Sequence, residues 1–179
     1  LLDSQYEFLF ERFIPEFIAN SKSKVPYLSS SPVSNWGNSE DFNSGDNHDW
    51  AVWHGEMPLE DSYTRIPRFM SEYGFPSFPS IVILEKYLGR PGADIHASEL
   101  VLSYKGFGLL QQYLLTENLR YQSLDDVIKS SQYLQAKHYK RMNQVLRGSK
   151  GKCMGTLFWQ LNDVSPVMSW SVLDLEGNL

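Results

Sequence analysis

A chain of 179 residues, 42% hydrophobic and 21% charged, has the length for one domain with a real core and the composition of an ordinary globular protein, which excludes a disordered one. Its formal net charge of -5 argues against a nucleic-acid binder, whose electrostatic footprint is a basic face. The single cysteine, Cys153, leaves no internal disulfide and no cysteine-built metal site, and no run approaches the roughly 18 apolar residues of a membrane span.

Leu1-Leu2 followed by Asp3 and Ser4 lacks the form of a signal peptide, and so abrupt a start reads as that of a fragment. Ser4-Gln5-Tyr6-Glu7 has the form of a capping box. Tyr6, Leu9, Phe10, Phe13, Ile14, Phe17 and Ile18 then recur at helical spacing. This predicts a helix with a wide apolar face, kinked or restarted at Pro15, which has no amide to give to the preceding turn. Lys24 to Ser29 reads as a linker running into a short strand with its tip at Ser29-Ser30. From Val33 to Asp49 Asn, Ser, Gly and Asp prevail around one aromatic, Trp36, and irregular stretches of this length are usually functional or disordered. Ala51-Val52-Trp53-His54-Gly55 predicts a brief buried strand ending on His54. The pair His48 and His54 has no third ligand at matching spacing, so no metal site is expected.

Pro58 suits the first turn of a short helix over 57–64, which leads into Pro67-Arg68-Phe69-Met70-Ser71-Glu72-Tyr73-Gly74-Phe75. Pro67 bars a helix from entering this segment, Arg68 to Met70 has the half-apolar, aromatic character of a strand, and Gly74 allows a sharp turn. Glu72 is therefore expected at a strand's C-terminal tip, although an ordinary turn would hold a glutamate equally well. Helices are predicted over 80–88, closed by Gly89, Pro91 and Gly92, over 97–104, over 107–115, and from near Ser123. The last has a face of Leu124, Val127, Ser131, Leu134, His138, Met142 and Val145, acidic residues Asp125 and Asp126 at its start, and Gly148 at its C-cap. His138 is read as a packed helix residue rather than a ligand. Lys137, Lys140, Arg141, Arg147, Lys150 and Lys152 are read as a solvated face opposite the helix's negative end. A final strand is predicted from Met154 to Trp159.

Short strand, polar tip and helix thus recur four times, with tips at Ser29-Ser30, His54, Glu72 and Gln160 to Asn162, an α/β pattern. Three of these segments, Trp53-His54-Gly55, Arg68 to Phe75 and Gly155 to Ser171, closely resemble the C-terminal half of the catalytic barrel of β-mannosidases in glycoside hydrolase family 2. The resemblance covers nearly the whole chain, in the family's order. It implies that residues 1–179 form one partial catalytic domain, about strands five to eight of a (β/α)8 TIM barrel, since four strands cannot close the ring. Such a half-ring, with unpaired edges, is expected to fold poorly by itself. In a barrel of this kind the C-terminal strand tips carry the chemistry.

A retaining glycosidase uses two carboxyl groups about 5–5.5 Å apart, one as nucleophile and one as acid and then base. The resemblance implies that Glu72, at the tip of strand seven, is the nucleophile. The family's acid/base glutamate follows an asparagine at the tip of strand four, and these 179 residues contain no Asn-Glu pair. The isolated fragment is therefore expected to be inactive, the proton donor coming from the rest of the parent polypeptide. Trp159 matches the family's aromatic platform for the sugar, and His54 the position of a polar ring beside the nucleophile. Trp53, Asn162, Asp46 and His48 are weaker substrate-binding candidates, each read equally as packing or loop-ordering residues. Asp163 and Glu176 are given structural roles.

Ser165 stands where family members commonly carry a tryptophan, which bears on fine specificity. The implied activity is retaining, exo-acting release of terminal non-reducing β-D-mannose from oligosaccharides or glycoprotein glycans, with no cofactor, no metal, no nucleic acid and no membrane. A β-glucosaminidase, β-galactosidase or endo-β-mannosidase on the same scaffold, or a catalytically dead carbohydrate-binding barrel, are the alternatives. No Gly-x-Ser-x-Gly elbow and no phosphate-binding glycine loop is present.

Overall fold

The computed structural model describes residues 2–34, 41–89 and 106–179. The helix expected over 97–104 and the indole of Trp36 lie outside the described residues. The chain opens with a helical run made of α1 (Leu2–Glu7), a π-helical stretch (Phe8–Phe13) and α2 (Ile14–Ala19). Ser4 sits inside α1 rather than capping it, because the helix is already under way at Leu2. At Pro15 the helix continues instead of breaking: the wider π turns come directly before the residue whose amide is missing. None of these residues is buried, and Leu2, Phe8 and Phe17 are largely exposed.

The remaining elements are β1 (Asn47–His48), α3 (Leu59–Ser62), β2 (Met70–Glu72), α4 (Ile81–Leu88), α5 (Phe107–Thr116) and α6 (Leu124–Gly148). β1 pairs in parallel with β2. Single parallel bridges extend the pairing on both sides, Ser34 to Asn47 and Met70 to Thr156. Four short segments therefore lie side by side in chain order, a parallel α/β arrangement. Two corrections follow. The residues up to Ser29-Ser30 form no ladder, and pairing comes only at Ser34, whose N–H donates to the Asp46 carbonyl. Ala51 to His54 is a turn, not a strand, closed by the His54 N–H on the Trp50 carbonyl at 2.8 Å. Val52 and Trp53 are buried as predicted, but they pack from a turn, which a short apolar run cannot reveal. Gly55 is required there, since a Cβ would stand 2.7 Å from the Ala51 carbonyl oxygen.

α6 organises the core. Ser123 accepts from the Asp126 N–H while the Asp126 carboxylate accepts from the Ser123 N–H, a reciprocal cap, and the predicted face is buried from Leu124 to Met142. Val145 is half-buried, and the C-cap is Ser149 rather than Gly148. The first part of that face packs with α5, Leu84 of α4, Val52, Trp53, Phe75 and Phe78. Its last turns join Met70, Tyr73 and Cys153 in a second cluster. His138 lies between the rings of Tyr63, Tyr73, Phe75 and Tyr139. Burial pushes its imidazole down to about 4, so it is neutral in the folded protein. No helix among the described residues is long and apolar enough to cross a membrane.

Candidate active site

Parallel pairing brings the C-terminal ends of β1, β2 and the 154–159 segment to one side of the sheet. Glu72 closes β2 there. Its carbonyl accepts from the Asp49 N–H at 2.8 Å, which ties the residue after β1 to the end of β2. Its carboxylate receives two ring nitrogens on the same oxygen. Trp50 Nε1–H donates to Oε2 at 3.1 Å, and His48 Nδ1 stands 3.3 Å from that atom. The Glu72 side chain keeps 23% of its surface accessible.

A second carboxylate braces this side of the site. Asp46 accepts the hydroxyls of Ser31 and Ser71 at 2.5 and 2.6 Å and the Val33 N–H at 2.7 Å. Burial works against its ionisation, but the hydrogen bonds outweigh it and hold the carboxyl below the usual range. Ser31 Oγ also lies 3.1 Å from His48 Nε2. Nearby, Asp49 pairs with Arg65 at 2.8 Å with both side chains largely buried. Among the described residues no group of three or more His, Cys, Asp or Glu side chains is placed to hold a metal ion.

On the opposite side of β2, the Trp159 N–H donates to the Tyr73 carbonyl at 2.9 Å, so the indole-bearing residue runs beside the one that follows Glu72. The Trp159 side chain is exposed, with 43% of the residue's surface accessible, and the Trp159–Gln160 peptide is cis. Gly74 serves this approach rather than a turn: its φ is not in the left-handed region, and a Cβ would meet the Trp159 carbonyl oxygen at 2.2 Å. Tyr139 reaches up from α6 and donates its hydroxyl to the Trp159 carbonyl at 2.7 Å.

The sequence-predicted residues are therefore only partly brought together. Glu72 and Trp159 emerge from neighbouring, hydrogen-bonded segments. The imidazole on the Glu72 carboxylate is that of His48, which the sequence ranks below His54. The His54 ring instead lies against Trp50 and Trp170, at centroid distances of 5.7 and 6.5 Å. Trp53, expected as a substrate contact, is 3% exposed, stacked on Tyr113 and edge-on to Phe75, and so offers no ring face to a sugar. Asn162 is exposed on the segment after Trp159. Sequence reading missed Trp50, Ser31 and Ser71. The only signal for Trp50 was its place directly after a polar run, where a two-residue strand leaves no periodicity. A cavity of about 540 Å³ lies between α6 and the C-terminal segment, lined by Ser77, Gln135, Asp163 and Ser165 among others, and none of the predicted site residues lines it.

No protein-family model matches the chain. Its sequence is 31% identical over 189 residues to beta-mannosidase B of Thermothelomyces thermophilus, covering 96% of this chain and 22% of that protein. To beta-mannosidase B of Aspergillus oryzae it is 30% identical, covering 96% of this chain and 21% of the other. Its structure is similar to the crystal structure of beta-D-mannosidase from Dictyoglomus thermophilum, with a TM-score of 0.81, 27% identity, and coverage of 97% of this chain and 22% of that one. The chain thus spans about a fifth of the length of the relatives it matches. On sequence and structure together, nearly the whole of this chain is similar to about a fifth of the length of proteins named as β-mannosidases.

Proposed function

We propose that this chain is the nucleophile-bearing part of a retaining exo-β-mannosidase, which releases terminal non-reducing β-D-mannose from oligosaccharides or glycans. The observation that carries the reading is the Glu72 carboxylate, held on one oxygen by Trp50 and His48 at the sheet end beside the exposed Trp159. Because both partners converge on Oε2, Oε1 is the oxygen free to attack the anomeric carbon and form the glycosyl ester. The Trp159 indole offers the flat apolar face on which a pyranose ring stacks. His54 and Asn162, both exposed, are left to contact more distal parts of the substrate.

The proton donor for the leaving oxygen, later the base for water, belongs to the remainder of the parent polypeptide, about 5–5.5 Å from Glu72 in the assembled site. The same reading makes residues 1–179 one partial domain, strands five to eight of a TIM barrel. The side-by-side order of Ser34, β1, β2 and Thr156 supports it. No cofactor enters this chemistry.

The test is covalent trapping of the parent polypeptide with a 2-fluoro-mannoside bearing a good leaving group, followed by peptide mapping. The adduct is expected on Glu72, and label on any other residue overturns the assignment. Turnover of a panel of aryl β-glycosides tests the sugar, and a preference for galactoside sinks mannose.

A further inference from the structure

Behind Glu72 the polar atoms run in a line. Asp46 Oδ2 is 2.5 Å from Ser31 Oγ, Ser31 Oγ is 3.1 Å from His48 Nε2, and His48 Nδ1 is 3.3 Å from Glu72 Oε2. The direction of each proton in this line follows from chemistry. Asp46 also takes the Ser71 hydroxyl on Oδ2 and the Val33 N–H on Oδ1, so three donors converge on it. A carboxyl surrounded by donors is an anion, and an anionic carboxylate only accepts. Two oxygens 2.5 Å apart, one of them anionic, must have the hydroxyl proton between them. The Ser31 proton is therefore committed to Asp46. What remains for His48 is a Ser31 lone pair, which requires the proton of that contact to be on Nε2.

We propose that Asp46 and Ser31 are positioning residues that set the protonation pattern of His48, with Nε2–H fixed on Ser31 and Nδ1 turned to the Glu72 carboxylate. The proposal deepens the reading of Glu72 as the nucleophile and rests on it for its catalytic meaning. A ring already protonated on Nε2 meets an ionised Glu72 favourably only by carrying a second proton on Nδ1. That contact is charge-assisted and roughly twice as strong as a neutral hydrogen bond. A neutral ring of the opposite tautomer would donate from Nδ1 without that charge assistance, a weaker hold on Oε2 than the doubly protonated ring gives, and would set a bare Nε2 against the Ser31 lone pairs. Ser31 and Asp46 touch no reacting atom, so their effect passes through the ring.

The ring is also the place to test it. In the parent polypeptide labelled with 15N-histidine, long-range 1H–15N spectra of His48, assigned by comparison with His48→Gln, are expected to show Nε2 protonated whenever the ring is neutral. Asp46→Asn places an amide N–H₂ toward Ser31. The serine proton is then released toward His48 Nε2, and the neutral tautomer is expected to invert to Nδ1–H. Ser31→Ala is expected to lose the Nε2–H preference and to lower kcat about tenfold, with KM within about twofold, as losses of groups that orient a reactive residue typically do. Ser31→Thr, which keeps the hydroxyl, is expected to restore both. An unchanged Nε2–H in Asp46→Asn, or wild-type kcat in Ser31→Ala, overturns the proposal. Should Asp46→Asn fail to fold, the Ser31→Ala and Ser31→Thr spectra decide in the same way. A tautomer inversion seen together with trapping on a residue other than Glu72 upholds the His48 wiring and discards the nucleophile assignment.

Discussion

The Trp50 indole nitrogen stands 3.1 Å from Glu72 Oε2, so a side chain from just beyond β1 fixes the carboxylate at the end of β2. The same indole packs edge-on against Trp170 at 5.9 Å, which limits its freedom to turn away. Trp50→Phe keeps an aromatic ring and removes the donor. A hydrogen bond to a charged group is worth roughly 1.5–3 kcal/mol. In the parent polypeptide kcat on an aryl β-mannoside is expected to fall at least about tenfold, with a smaller change in KM. Wild-type kcat in Trp50→Phe would remove Trp50 from the account.

His138 predicts an acid-side loss of stability. Its folded value is about 4 against an ordinary 6.5, so from pH 6.5 downward the unfolded chain binds a proton that the native chain refuses. Stability is full above 6.5, falls as the pH drops toward about 4, and levels off below, a loss of about 3 kcal/mol from this group. Urea midpoints across pH 4–7 measure it. His138→Leu is expected to flatten this part of the curve, and an equally steep curve in the variant would refute the assignment.

Gly74→Ala tests the close approach of Trp159. A methyl group 2.2 Å from the Trp159 carbonyl oxygen forces backbone apart, since neither partner is the end of a flexible side chain. Overpacking of this kind costs about 1–3 kcal/mol. The expected result is a lower unfolding midpoint with the ultraviolet-excited tryptophan emission shifted to longer wavelength; a neutral effect would show that the 154–159 segment yields easily.

Asp49 and Arg65 form an ion pair with side chains only 4% and 11% exposed. Asp49→Asn keeps the shape but takes away the charge that compensates a largely buried guanidinium. Removing one partner of such a pair typically costs about 3–5 kcal/mol, and a loss in this range is expected in chemical denaturation. A change below about 1 kcal/mol would place the pair with solvated surface bridges.

Much of the helical part was legible because helices write their burial over many residues. Leu124 to Met142 repeats its apolar face for five turns, and the Gly89 and Ser123 ends carry their own chemistry, a left-handed C-cap and a reciprocal N-cap. Glu72 was legible from Pro67 on one side and Gly74 on the other, though the glycine is there for closeness to Trp159 rather than for its φ. The other wall of the site was not. β1 is two polar residues long, and Asn47 is fully buried in a stretch whose composition reads as loop. The register that puts His48, and not His54, beside Glu72 comes from the ladder between Asn47 and Phe69 and between Asp49 and Glu72, contacts between distant parts of the chain. Ser31 and Trp50 acquire meaning only through that ladder.

The three donors gathered on Asp46 come from two stretches far apart in sequence, Ser31 and Val33 on one side and Ser71 on the other. One carboxylate thus works as a rivet between the 31–34 segment and β2, while a single backbone bridge, Ser34 to Asn47, ties that segment to β1. Acid strong enough to neutralise it would undo the rivet, so a protease such as pepsin is expected to find an early cut in the largely exposed run ahead of Ser34.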